Sequence, residues 1–219
     1  MKFFVDSTDS GEIERLDQEY KCVDGVTTNP SLLAKAGQSS RIVFVDITQL
    51  MGNRPVSAEV IATDWEGMVA QGQELREIAS NIVVKVPVTK DGLKACRILS
   101  DDGIEVNVTL CFQPIQALLA ARAGARYISP FVGRLDDRGE DGMELIRQIR
   151  TIYDHYDLKT EILVASIRNM DHIIRSAELG ADVVTIPPAV FDQLLAHELT
   201  ERGLETFLQD WKQTGQQLT

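Results

Sequence analysis

Lys85 sits in the run Val83-Val84-Lys85-Val86-Pro87, whose β-branched neighbours would bury the base of its side chain. A free lysine has a reference pKa of about 10.4 and is almost wholly charged at neutral pH. Burial and a cationic neighbour disfavour that charge and can bring a catalytic lysine to about 7–8. A neutral amine attacks a ketone and forms an imine, which then acts as an electron sink. The bland alternative is a structural lysine paired with Glu59 or Asp6, or one whose head reaches solvent, because structural ion pairs also perturb lysines.

Imine chemistry needs several proton transfers, and carboxylates are the natural carriers. Glu59 is expected to hold a water and shuttle protons while the imine forms. Asp6 is expected to take the proton of a substrate hydroxyl as a carbon–carbon bond breaks. Simple neutralisation of Lys85 is the competing role for both, and it is compatible with catalysis. Arg134 and Arg168 offer guanidinium forks, which suit phosphate oxygens and stay charged at any working pH. Ser166 adds a hydroxyl beside them, while Asp136 or Asp137 competes for Arg134 as a surface ion pair.

These residues need a frame that brings them together. Short apolar runs recur at Lys2–Asp6, Gly25–Thr27, Val56–Val60, Ile82–Val86, Glu105–Val108, Arg126–Pro130, Glu161–Ala165 and Asp182–Ile186. Several are apolar without alternation, as parallel strands covered on both faces are. Amphipathic stretches separate them. Thr63-Asp64-Trp65-Glu66 reads as a capping box opening a helix to about Ile78, and Thr89-Lys90-Asp91 opens the next, ending near Asp102-Gly103. Gly124 and Gly180 follow helical stretches Gln113–Ala123 and Asn169–Leu179 as C-cap signals.

Alternating strands and helices leave a closed barrel or an open doubly wound sheet. An open sheet with a dinucleotide site predicts a G-x-G-x-x-G turn, which this sequence lacks. The expected fold is therefore a single-domain (β/α)8 TIM barrel over residues 1–219. An extra helix at about 204–215, bearing Phe207, Leu208 and Trp211, is expected to pack on a neighbouring subunit. In such a barrel the chemistry lies at the carboxyl ends of the strands. Read in order, those ends carry Asp6, Thr28 with Asn29, Glu59, Lys85, Asn107 with Thr109, Ser129, and Ser166 followed by Arg168. The strand period of two places Phe4 with Asp6, Asn107 with Thr109, and Ser129 with Phe131. Their convergence on one mouth points to a site more strongly than any single residue.

The net charge of −11 opposes a nucleic acid or an anionic membrane as partner, without excluding a small phosphorylated substrate. Cys22, Cys96 and Cys111 are scattered, which fits reduced thiols and a cytoplasmic setting. The apolar start is too short for a signal peptide, and no run approaches the roughly 20 apolar residues of a membrane span. His155, His172 and His197 lack metal-ligand spacing, and Asp136-Asp137 with Glu140-Asp141 reads as a solvated loop. Cys111 is expected near the pocket, with no local His to mark it as a nucleophile.

The segment Gly25-Val26-Thr27-Thr28-Asn29-Pro30-Ser31-Leu32-Leu33 resembles the first signature of the transaldolase family. Val84-Lys85-Val86-Pro87-Val88-Thr89-Lys90-Asp91-Gly92-Leu93 resembles its active-site lysine signature. Asn107-Val108-Thr109-Leu110 and Ser129-Pro130-Phe131-Val132-Gly133-Arg134 also match, so the resemblance covers essentially the whole chain. The short members of the family, which include fructose-6-phosphate aldolases, are the most similar.

The resemblance implies Schiff-base chemistry with no metal or organic cofactor, within the pentose phosphate pathway. It implies that Lys85 forms the imine, Asp6 is the acid/base for cleavage, and Glu59 with Thr109 positions a catalytic water. Asn29 and Asn107 would hold donor hydroxyls with Thr28 and Ser129 nearby, and Arg134, Ser166 and Arg168 would bind phosphate. It also implies a homo-oligomer, a pentamer or a decamer exchanging C-terminal helices. Family aldolases carry Gln at the place of Glu59 and Tyr at the place of Phe131, whereas transaldolases carry Glu and Phe as here. Phe131 cannot donate a proton to an enamine, which favours transfer to an acceptor over release of free dihydroxyacetone. Ser7 departs from the Thr common in the family. The rival expectations are a fructose-6-phosphate aldolase and a catalytically silent barrel that binds sugar phosphates through Arg134 and Arg168.

Overall fold

The apolar runs pair as parallel neighbours in chain order. They form β1 (Lys2–Asp6), β2 (Val23–Thr27), β3 (Val56–Glu59), β4 (Ile82–Pro87), β5 (Val106–Cys111), β6 (Tyr127–Pro130), β7 (Glu161–Val164) and β8 (Val183–Ile186). β8 pairs back onto β1 and closes a barrel. The computed structural model describes residues 1–217. Every strand expected from sequence is present, with ends shifted by a few residues.

Helices connect the strands: α1 (Ser10–Tyr20), α2 (Pro30–Lys35), α3 (Ser40–Met51), α4 (Trp65–Ile78), α5 (Lys90–Asp101) and α6 (Pro114–Arg122). The later units carry α7 (Val132–Asp136), α8 (Gly142–His155), α9 (Met170–Glu178) and α10 (Pro188–Phe191), and α11 (Glu198–Gln213) is the last helix among the described residues. Side-chain oxygens satisfy orphan backbone donors at several starts, including Thr89 on Gly92 N and Asn169 on His172 N. At α4 the capping side chain is Asp64, bonded to Gly67 N, and not the expected Thr63. A carboxylate also complements the helix dipole there.

The sheet buries both faces. Phe4, Val83, Tyr127, Leu163 and Val183 pack inside the barrel, beneath the polar strand ends. Phe4 meets Tyr127 edge to face at 5.9 Å. The Phe4 ring lies against Gly25, where a Cβ would stand 2.6 Å from its atoms, so only glycine fits that register position. The outer face, with Val26, Val84, Val108 and Ile128, packs on the helices.

Two expectations need correction. β5 runs on to Cys111 through a register shift, and Leu110 adopts φ 59°. Such a bulge breaks the period of two. Cys111 therefore joins the helix-facing core, away from the expected pocket, and burial pushes its thiol up to about 12. The terminal helix begins at Glu198, earlier than expected, with Leu199, Leu204, Phe207, Leu208 and Trp211 exposed. Among the described residues no helix is long and apolar enough to cross a membrane.

Candidate active site

The carboxyl ends of the strands surround a cavity of about 240 Å³. Asp6, Asn29, Lys85, Ser129, Phe131, Arg134, Ser166 and Arg168 line it, whereas Thr28, Glu59, Asn107 and Thr109 are outside its lining. Larger hollows lie elsewhere: an apolar groove of about 390 Å³ beside Glu59, and a polar one of about 500 Å³ that includes Lys2, Ile82 and Tyr127 at the strands' amino ends. Neither contains Lys85, Asp6 or the two arginines, so volume does not decide the site.

Lys85 is buried, with 5% of its surface exposed, in a strand of valines. Glu59 is its register partner on β3, and the Lys85 Nζ lies 3.1 Å from the Glu59 Oε2. The Nζ also donates to the Thr28 carbonyl at 3.0 Å. The ammonium is thus held by one carboxylate and one backbone oxygen, which aims a buried amine at the cavity. The structural ion pair envisaged for Lys85 is present, with Glu59 as its partner.

Asp6 accepts the Thr27 hydroxyl at 2.7 Å, and the Thr27 and Thr185 hydroxyls meet at 2.6 Å. With Thr27 donating to Asp6, Thr185 must donate to Thr27. Burial pushes the Asp6 carboxyl above the ordinary carboxylate range, against the opposing pull of Thr27 and of the Lys85 charge. A carboxyl raised in this way is suited to accept and return a proton. Thr27 and Thr185 were not anticipated; the inward period through Gly25 and Val183 could have found both.

A second chain of bonds lies across β3, β5 and β6. Asn107 Nδ2 donates to Ser57 Oγ at 3.2 Å, and Ser129 Oγ donates to Asn107 Oδ1 at 2.8 Å. Ser57 too was missed from sequence. These contacts hold the Asn107 amide rigid within the barrel. Thr109 is fully buried, and its hydroxyl has no partner among the described residues. Such a group is uncommon and keeps a hydrogen bond to spare.

Thr28 was expected to present its side chain to substrate. Its hydroxyl instead donates to the Ser57 carbonyl at 2.8 Å and is fully buried, so only its backbone serves Lys85. Asn29 caps α2 by accepting Leu32 N at 3.0 Å, which leaves its amide nitrogen for the cavity it lines.

The competing ion pair weighed for Arg134 is not formed. Arg134 makes no ion pair with Asp136 or Asp137, and its guanidinium lies 4.9 Å from the Phe131 ring centroid. Asp137 pairs with Arg168 at 3.0 Å, both side chains more than half exposed. A pair so exposed is weak, worth about 0–1 kcal/mol, and leaves Arg168 available to an anion. Ser166, between them in the cavity, holds φ 62°, a costly conformation for a residue with a Cβ.

His172, expected to be without a role, and Asp136, expected in a solvated loop, are bonded at 2.5 Å in the support behind these loops. Among the described residues no group of three or more His, Cys, Asp or Glu side chains is placed to hold a metal ion.

A family profile described as Transaldolase/Fructose-6-phosphate aldolase matches residues 3–218. The chain is 56% identical over 218 residues to a protein of Caulobacter vibrioides (strain NA1000 / CB15N), and 57% identical over 218 residues to one of Caulobacter sp. (strain K31). A protein of Brucella anthropi is 56% identical over the same length. Each match covers 100% of both chains, and all three relatives are named "Probable transaldolase".

Proposed function

The chain belongs to the transaldolase/fructose-6-phosphate aldolase family, and from that premise we propose that it is a transaldolase moving a dihydroxyacetone unit between sugar phosphates through a Lys85 imine. The observation that carries this reading is the buried Lys85 amine, 3.1 Å from Glu59 and sharing a cavity with Asp6 and two arginines. The relatives' names support the transfer reaction.

Glu59 takes the ammonium proton, and the Lys85 amine adds to the ketone of fructose 6-phosphate or sedoheptulose 7-phosphate. Loss of water gives the imine, with Glu59 and the unpartnered Thr109 hydroxyl as the groups to hold that water. Asp6 accepts the hydroxyl proton on C4 as the C3–C4 bond breaks, and the bonding electrons pass into the imine as an enamine. The aldose phosphate leaves. The enamine carbon then adds to the aldehyde of a second aldose phosphate, Asp6 returns its proton to the new hydroxyl, and water hydrolyses the imine. Asn29, Asn107 and Ser129 are the groups for the donor's hydroxyls, and Arg134, Ser166 and Arg168 those for phosphate.

Phe131 has no proton to give the enamine, which supports transfer over free release. The pentose phosphate pathway is the corresponding setting. The three unpaired cysteines fit the reducing cytoplasm. We extend the reading to a homo-oligomer, pentameric or decameric, because α11 exposes Phe207 to 73% together with its other apolar residues. Light scattering that returned a monomer at micromolar concentration would remove this part of the reading.

The principal test is mass spectrometry after borohydride reduction with fructose 6-phosphate, with and without erythrose 4-phosphate. A three-carbon adduct on Lys85 that diminishes with acceptor is the expected result. An adduct unaffected by acceptor, with free dihydroxyacetone accumulating, would point to the aldolase. No adduct, with sugar phosphate still bound, would point to a silent barrel.

A further inference from the structure

The two loops that bear the arginines are joined behind the cavity by a single imidazole. His172 lies in the first turn of α9, its side chain only 5% exposed. Its Nδ1 accepts the backbone N–H of Arg168 at 3.2 Å, and its Nε2 stands 2.5 Å from Asp136 Oδ2. Because Nδ1 is occupied as an acceptor, the ring proton belongs on Nε2, directed at the carboxylate. Asp136 ends α7, the short helix that carries Arg134, and its other oxygen accepts Gly142 N at 2.9 Å. The imidazole therefore ties the backbone of one arginine to the helix of the other.

Neighbouring contacts show why such a tie matters. Gly133 N donates to the Ser166 carbonyl at 3.2 Å, and Val132 N to the Ala165 carbonyl at 3.1 Å, and the exposed Arg168–Asp137 pair at 3.0 Å also joins the two loops. Ser166 at φ 62° holds a conformation that its surroundings must enforce. Both arginines are exposed. What can be fixed is the separation of the two backbones from which they extend, and the imidazole bridges that separation. Preorganised donors bind an anion better than donors that must be ordered on arrival.

We propose that His172 is a positioning residue for phosphate recognition, setting the spacing of Arg134 and Arg168 by bridging the Arg168 backbone to Asp136. The inference rests on the proposed reading only in taking the anion to be a substrate phosphate. The alternative is a buried histidine that supports stability and nothing else.

The experiment compares the full-length wild type with His172→Leu, His172→Gln and Asp136→Ala. Glutamine retains an acceptor and a donor on a side chain of similar reach. Asp136 is partly exposed at the other end of the same bond, so its truncation probes the tie even where leucine at 172 impairs folding. Calorimetric binding of inorganic phosphate is measured alongside kinetics on two substrate pairs. One is fructose 6-phosphate with erythrose 4-phosphate; the other is fructose with glyceraldehyde, which carries no phosphate. His172→Leu and Asp136→Ala should weaken phosphate binding and raise KM for the phosphorylated pair by about tenfold, as loss of one charge-assisted bond would. Turnover of the unphosphorylated pair should stay near wild type, and His172→Gln should recover most of the affinity. Equal losses on both pairs, or unchanged phosphate binding in Asp136→Ala, would overturn the proposal. A wild type without turnover on either pair, with phosphate binding still weakened in the variants, would sink the transaldolase reading while sustaining the role of His172.

Discussion

Glu59 and Lys85 face each other across the β3–β4 register, and their charged ends meet at 3.1 Å with the side chains 13% and 6% exposed. Taking two charges out of water costs several kcal/mol, roughly what their attraction returns, so the pair adds little to stability. Its value lies in holding an amine beside a proton acceptor. Lys85→Met should abolish turnover and lower the melting temperature, because it leaves the Glu59 carboxylate buried without its partner. Glu59→Gln should keep the fold and lower kcat by about 10²-fold, in line with loss of one acid–base group. Steady-state kinetics paired with calorimetric melting check both, and retained turnover in Lys85→Met would end the imine mechanism.

Phe131 stacks edge to face on Phe112 at 5.9 Å and under the Arg134 guanidinium. Phe131→Tyr adds a hydroxyl at the cavity without removing either contact. It should raise release of free dihydroxyacetone from fructose 6-phosphate by at least about tenfold, because a general acid can now protonate the enamine. An enzymatic assay for dihydroxyacetone without acceptor reads this directly. An unchanged rate would undercut the account of position 131.

The barrel was legible because its strands are buried on both faces, so runs such as Ile82-Val83-Val84 carry no polar interruption until Lys85. The site was legible for the same reason: a polar residue ending an apolar run must face the mouth. Legibility failed where local geometry departs from the ideal strand. The Leu110 bulge turns Cys111 outward, which no periodicity could reveal. Thr28 and Thr27 are adjacent and chemically identical, and the period through Gly25 that turns Thr27 toward Asp6 leaves Thr28 on the Ser57 carbonyl. His172 escaped notice because its partners, Asp136 and the Arg168 backbone, come from separate loops brought together only by the pairing of β6 with β7.

Asp6 gives a pH signature. Burial raises its carboxyl above the ordinary range, so the folded state binds its proton more tightly than the unfolded chain does. The resulting stabilisation is complete below the unfolded value of about 3.9 and fades as pH rises through the raised value. Wherever it is ionised, the buried carboxylate is a net burden, relieved only in part by Thr27 and Lys85. Asp6→Asn should therefore be more stable than wild type at pH 7, with the advantage shrinking as pH falls toward 4, while cleavage activity is lost. Urea denaturation from pH 4 to 8 measures the gap, and a constant gap would refute the assignment.

Gly133 sits where the β6 and β7 loops meet. A Cβ there would stand 2.2 Å from the Ser166 carbonyl oxygen and 2.7 Å from the Arg168 Nε. The oxygen belongs to backbone that already holds φ 62° and accepts the Gly133 N–H, so it has little freedom to yield. Gly133→Ala should thus part the loops, and the overpacking should cost about 1–3 kcal/mol. Phosphate binding should weaken beyond what the stability loss predicts, because Ser166 and Arg168 move together. The Lys85 adduct should still form with fructose, whose binding does not depend on that corner of the cavity. Calorimetry with inorganic phosphate, set beside borohydride trapping with fructose, separates the two effects. Intact phosphate affinity in a destabilised Gly133→Ala would mean that this glycine serves packing alone.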